Sequence, residues 1–119
     1  MPLNHLALAV RDQQRSIEFY ARYFGFDLST ARVYPDGVII VKDVHGFALA
    51  LGHDDGPARA PGFPHFGFEM PAPEPVRDLR ARLLADGVEL VEDEDGADYV
   101  GFKCLDPDRH VVEVAWESE

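Results

Sequence analysis

An internal repeat constrains this chain more than any other feature. Leu3 to Val10 (LNHLALAV) alternates as a half-buried strand does. Asp12 follows as a helix cap. Ile17, Tyr20, Ala21 and Phe24 then trace one apolar helix face at i, i+3, i+4 and i+7, and Gly25 supplies the stop. About sixty residues later the pattern returns: Phe63 to Met70 (FPHFGFEM) alternates, Val76, Leu79 and Leu83 share a helix face, and Gly87 ends it. Strand-like segments follow each helix. They are divided by turn signals at Pro35-Asp36-Gly37 and Asp43 to Gly46, then at Asp93 to Gly96 and Asp106-Pro107-Asp108. Each half reads β-α-β-β-β, which predicts an α+β protein of two βαβββ modules. Residues 53–62 (HDDGPARAPG) lack apolar periodicity and concentrate Gly, Pro and charge, so module one spans 1–52, the linker 53–62 and module two 63–119. With 119 residues in all, neither half buries a sufficient core alone. The halves must pack together, or against those of a second chain.

Charge narrows the partners. Eleven Lys+Arg against 22 Asp+Glu give a formal net charge of −11, which argues against nucleic acid because phosphate binding needs clustered cations. Cationic or neutral small molecules, metal ions and proteins stay open. No apolar run approaches the roughly 18 residues of a membrane span, so a soluble, cytoplasmic domain is expected. The single cysteine, Cys104, permits no intrachain disulfide and has no metal-like spacing; a buried structural thiol is its default reading.

Splitting the strands by parity locates the chemistry, since alternate side chains point to opposite faces. Leu6, Leu8 and Val10, then Phe66, Phe68 and Met70, then Val112, Val114 and Trp116 are the bulky apolar faces on which helices would pack. The opposite faces carry His5, Ala7 and Ala9; His65, Gly67 and Glu69; Val111, Glu113 and Ala115. Small residues dotted with two imidazoles and a carboxylate suit a concave pocket. Singly, His5, His65 and Glu113 read as ordinary strand residues. Their shared parity, with the two histidines at matching points of the repeat, favours a site. Two His and one carboxylate form a facial triad with open positions, suited to Fe, Mn, Ni, Co or Zn as divalent ions.

In these residues the chain resembles the vicinal oxygen chelate superfamily: glyoxalase I, fosfomycin resistance thiol transferases, methylmalonyl-CoA epimerase, extradiol dioxygenases and the metal-free bleomycin resistance proteins. NHLALAV at 4–10, SIEFYARYFGFDL at 16–28, PHFGFEM at 64–70, RLLADGVEL at 82–90 and DPDRHVVEV at 106–114 fall in family order. The resemblance implies two βαβββ modules forming a cup-shaped mixed sheet around a divalent metal, with helices on the outer face. It also implies a homodimer in which modules of two chains complete each site. His5, His65 and Glu113 match three of four family ligand positions. The fourth is Ala50, which cannot ligate; this argues against glyoxalase I and towards fosfomycin-modifying or extradiol-type enzymes. Arg109 replaces the glycine common in the family's DPDG turn, with little effect expected on geometry.

The remaining candidates are weaker. Glu69 shares a face with His65 but lies roughly 13 Å along the strand, so it contacts substrate or remains a rim charge. Tyr34 and Tyr99 lie near strand ends and could line a pocket. His53 has the wrong parity to replace Ala50, and His45 and His110 sit at turns. The reading is a metal-dependent enzyme acting on a small oxygen-chelating substrate, dioxygenase-like chemistry ranking slightly above a fosfomycin-type transferase. The competing class is a non-catalytic protein that sequesters an antibiotic or other small molecule, of the bleomycin resistance type.

Overall fold

The structure, a computed structural model, describes residues 1–57 and 60–119. Positions 58 and 59 of the expected linker lie outside the described residues. The chain divides into two compact units, Met1–Pro57 and Ala58–Glu119. Each is a four-stranded mixed sheet with one helix.

In the first unit β1 (His5–Val10), α1 (Gln13–Phe24), β2 (Phe26–Val33), β3 (Ile39–Asp43) and β4 (Ala48–His53) follow in chain order. The sheet order is β1-β4-β3-β2, with β1 parallel to β4 and the other pairs antiparallel. Asp12 caps α1: its Oδ1 accepts from the Arg15 backbone N–H at 3.0 Å, satisfying one of the donors a helix start leaves unpaired. Gly25, at φ 76°, ends the helix in the left-handed region that a Cβ disfavours. Ile17 and Tyr20 are buried on the face that meets β2 and β4, beside Val41, Leu49 and Leu51.

The second unit repeats the order with β5 (His65–Glu69), α2 (Pro73–Ala85), β6 (Leu90–Asp95), β7 (Tyr99–Leu105) and β8 (Val111–Glu117), in sheet order β5-β8-β7-β6. Val76, Leu79 and Leu83 of α2 are buried where the helix meets β7 and β8, against a core that includes Val100, Phe102, Val112 and Val114. The helix closes with Val88 N–H on the Leu83 carbonyl (2.9 Å) and Gly87 N–H on the Leu84 carbonyl (3.1 Å), a Schellman ending.

One local feature differs from the sequence-based expectation. The stretch Asp93 to Gly96, expected as a turn between strands, is strand β6 (Leu90–Asp95) as far as Asp95. Two of its acids, Asp93 and Asp95, pair with arginines of α2. Arg77 donates through Nε and Nη2 to both oxygens of Asp95 (3.0 and 2.9 Å), and Arg80 bridges Asp93 and Asp95 (2.8 and 3.0 Å). Arg109 adopts φ 68°, so it takes up the left-handed conformation that a glycine in this turn would supply. Asp106 holds the turn, its Oδ1 accepting from the backbone N–H groups of Asp108 (2.9 Å) and His110 (2.8 Å).

Candidate functional site

Strand register fixes which residues share a face. In the second unit His65, Gly67 and Glu69 of β5 lie opposite Val111, Glu113 and Ala115 of β8. On the other side of β8, Lys103 lies opposite Glu113, and Gly101 opposite Ala115. Glu92 and Glu94 of β6 extend the same face beside Lys103 and Gly101. Helix α2 takes the opposite face, leaving this one for chemistry. Glu113 is at its centre.

His65 and Glu113 come together. The His65 Nδ1 lies 2.7 Å from the Phe63 carbonyl oxygen, which can only accept, so in the neutral imidazole Nδ1 carries the proton and Nε2 keeps its lone pair. That lone pair stands 3.6 Å from Glu113 Oε2, beyond hydrogen-bond length, and both side chains are about a quarter exposed (24% and 30%). Two electron-rich atoms this close repel each other unless a cation lies between them. Neighbouring ligands of a divalent ion bonded at about 2.1 Å are themselves roughly 3.0–3.4 Å apart. The pair fits such an ion with a shift of a few tenths of an ångström.

Gly67 makes room for this. A Cβ there would stand 3.3 Å from the Cβ, backbone oxygen and Oε2 of Glu113. Gly101 does the same for Tyr99, whose hydroxyl would be only 2.5 Å from an added Cβ. Tyr99 Oη donates to Glu113 Oε1 at 3.4 Å. Burial, and then the charge of Glu113 and its hydrogen bond, push the Tyr99 hydroxyl above its ordinary pKa, so it stays a donor at neutral pH. Lys103 Nζ pairs with Glu92 at 2.7 Å, and this contact raises its pKa.

The first unit shows the matching positions. His5, Ala7 and Ala9 lie opposite Ala48, Ala50 and Gly52, with Ile40 opposite Ala50 on the far side. Ala50 therefore holds the place in this sheet that Glu113 holds in the other. His5 Nδ1 lies 2.8 Å from the Asn4 side-chain oxygen, which again leaves Nε2 as the lone-pair nitrogen. Tyr34 lines a concavity of about 380 Å³ with Pro35, Asp36, Val38 and Ile40.

Among the described residues of one chain, no three His, Cys, Asp or Glu side chains are grouped so as to hold a metal ion. The structure joins His65 to Glu113; His5 belongs to the other unit. Glu69 lies on the same face as His65, opposite Ala115. His53 instead pairs with Asp55 at 2.8 Å, and Cys104 is buried, its thiol pushed up to about 12 chiefly by desolvation. Sequence reasoning did not single out Lys103 or Gly101. Parity counted back from Asp106 along β7 would have placed Tyr99, Gly101 and Lys103 on one face.

Two β-α-β-β-β units, each with a face of small residues and a histidine at its edge, define a vicinal oxygen chelate fold. The chain belongs to the Glyoxalase/Bleomycin resistance protein/Dioxygenase superfamily, whose model matches residues 2–114. It is 30% identical over 116 residues to the glutathione transferase FosA of Serratia marcescens, an alignment covering 94% of this chain and 78% of that one. A possible glyoxalase from Bacillus cereus superposes with a TM-score of 0.77 at 27% identity, over 96% of this chain and 97% of the other. The fosfomycin resistance protein FosX of Listeria monocytogenes shares the fold with a TM-score of 0.81 at 18% identity, covering 99% and 94% of the two chains. A variant of that protein has been solved with Mn(II) and 1S,2S-dihydroxypropylphosphonic acid (TM-score 0.77, 19% identity, covering 95% and 87%). Among the described residues, no helix is long and apolar enough to cross a membrane.

Proposed function

We propose that this chain is a divalent-metal-dependent enzyme of the fosfomycin-type transferase class, adding a thiol such as glutathione to a small oxygen-bearing substrate. The sulfur bonds to carbon as an epoxide C–O bond opens, and the released oxygen takes up the proton the thiol gives. The observation that carries the reading is the facing pair of His65 Nε2 and Glu113 Oε2, each a free electron-pair donor, 3.6 Å apart. His5 Nε2 is the third ligand, and the two units work as one domain. As in small members of the family, the reading is of a homodimer in which modules of two chains complete each site. The likeness to a glutathione transferase moves transferase chemistry ahead of the dioxygenase-like alternative.

A bound divalent ion supplies Lewis acidity toward a substrate oxygen and offsets the negative charge that develops there. The protein does the rest. Nδ1 of each histidine is spent on an oxygen acceptor, which orients the imidazole with Nε2 outward. Ala48, Ala50 and Gly52 keep their face low, leaving volume for a substrate. Tyr34 lines a concavity with Ile40, the cross-strand neighbour of Ala50, Tyr99 presents a hydroxyl donor beside the carboxylate, and Glu69 stands on the rim.

Incubation of the full chain with Mn(II), glutathione and fosfomycin tests the reading. Loss of free thiol is expected to require both Mn(II) and fosfomycin and to fall to background in Glu113→Ala. No thiol loss with Mn(II) bound, or loss that Glu113→Ala leaves intact, contradicts the assignment.

A further inference from the structure

We propose that Tyr99 is a positioning residue for the Glu113 carboxylate, occupying Oε1 so that Oε2 alone is presented to the cation. The inference rests on the metal-site reading above and adds to it a residue that acts through Glu113. Three observations converge. Tyr99 Oη reaches Oε1 at 3.4 Å, while the other oxygen, Oε2, faces His65 Nε2 at 3.6 Å. The phenol lies over Gly101 so closely that a Cβ would meet Oη at 2.5 Å, Cζ at 2.8 Å and Cε1 at 2.9 Å, so only glycine seats the ring there. The opposite flank is equally bare, because a Cβ at Gly67 would crowd Oε2 at 3.3 Å. Two glycines on the strands either side of β8 thus admit one carboxylate and one phenol to the same small area.

A carboxylate fixed through one oxygen loses less rotational freedom on binding an ion than one that turns freely, and it ligates through a single atom. Removing the phenol hydroxyl releases Oε1, which can then chelate the same ion. Ligand partners of this kind typically alter metal affinity by about 10–100-fold.

The test is titration of the full chain with Co(II), read by its visible d–d bands, alongside thermal unfolding of the metal-free protein. Tyr99→Phe is expected to weaken Co(II) binding about 10-fold and to lower band intensity as a second carboxylate oxygen raises the coordination number, with the unfolding midpoint unchanged. Gly101→Ala, which keeps the hydroxyl but displaces the ring, should weaken binding in the same direction. Wild-type affinity and spectrum in both variants, with Glu113→Ala abolishing binding, overturn the role of Tyr99 and leave the metal reading standing. Undiminished Co(II) binding in Glu113→Ala overturns the metal reading itself.

Discussion

Gly67 shows how one absent side chain sets the chemistry of its neighbour. Replacement by alanine in a strand ordinarily stabilises, by roughly 0.5–1 kcal/mol, because glycine loses more backbone freedom on folding. Here the new methyl would sit 3.3 Å from Glu113 Oε2 and push the carboxylate away from His65. The methyl also meets the Glu113 Cβ and backbone oxygen at 3.3 Å, which offsets that gain, so Gly67→Ala is expected to move the thermal midpoint of the metal-free protein little while metal affinity falls. Calorimetry paired with metal titration checks both; a variant that binds the ion as tightly as wild type contradicts the geometry. Position 67 was legible in the sequence as a small residue between His65 and Glu69. Its partner across β8, Lys103, was not, because cross-strand register depends on a turn in which Asp106 accepts two backbone N–H groups and Arg109 takes φ 68°.

At the scale of elements, helices and apolar strands were readable from period, since Ile17, Tyr20, Val76, Leu79 and Leu83 all fall on buried faces. Strand β6 was not. Its inward neighbours on α2 are arginines, so the residues facing the helix, Asp93 and Asp95, are as acidic as those facing outward, and no apolar alternation marks the strand. The pairing makes stability depend on pH. Hydrogen bonds from Arg77, then Arg80, lower the Asp95 carboxyl from 3.8 to about 2. A carboxyl depressed in the folded state contributes stability above its unfolded pKa and loses it as pH falls through the folded value. That contribution is present above pH ~4 and disappears between ~4 and ~2. Asp95→Asn should flatten the stability profile in that window, and added salt should shrink the difference because the pair is exposed. Denaturant unfolding at pH 5, 4, 3 and 2 measures it; parallel profiles for wild type and variant contradict the clamp.

For the whole molecule, the repeat carries the account further than any motif does. Register within each unit places His5 and His65 at equivalent points, and Ala50 where its counterpart is Glu113, so under the proposed site one half offers one donor and the other half two. Parity along the strands made His5, His65 and Glu113 visible in the sequence, because strand period is insensitive to packing. The approach of Tyr99 to the carboxylate was not visible, since it requires the glycine seat at Gly101, which any Cβ would fill.

Metal content after reconstitution is the most direct check on convergence of the three donors. Wild type and the His5→Ala, His65→Ala and Glu113→Ala variants would each be loaded with Mn(II), desalted without chelator and analysed for manganese. About one ion per chain is expected in wild type, with almost complete loss in every variant, because removing one of three protein ligands leaves too few to retain the metal. Full manganese retention in any one variant, with its fold intact, would contradict the ligand set.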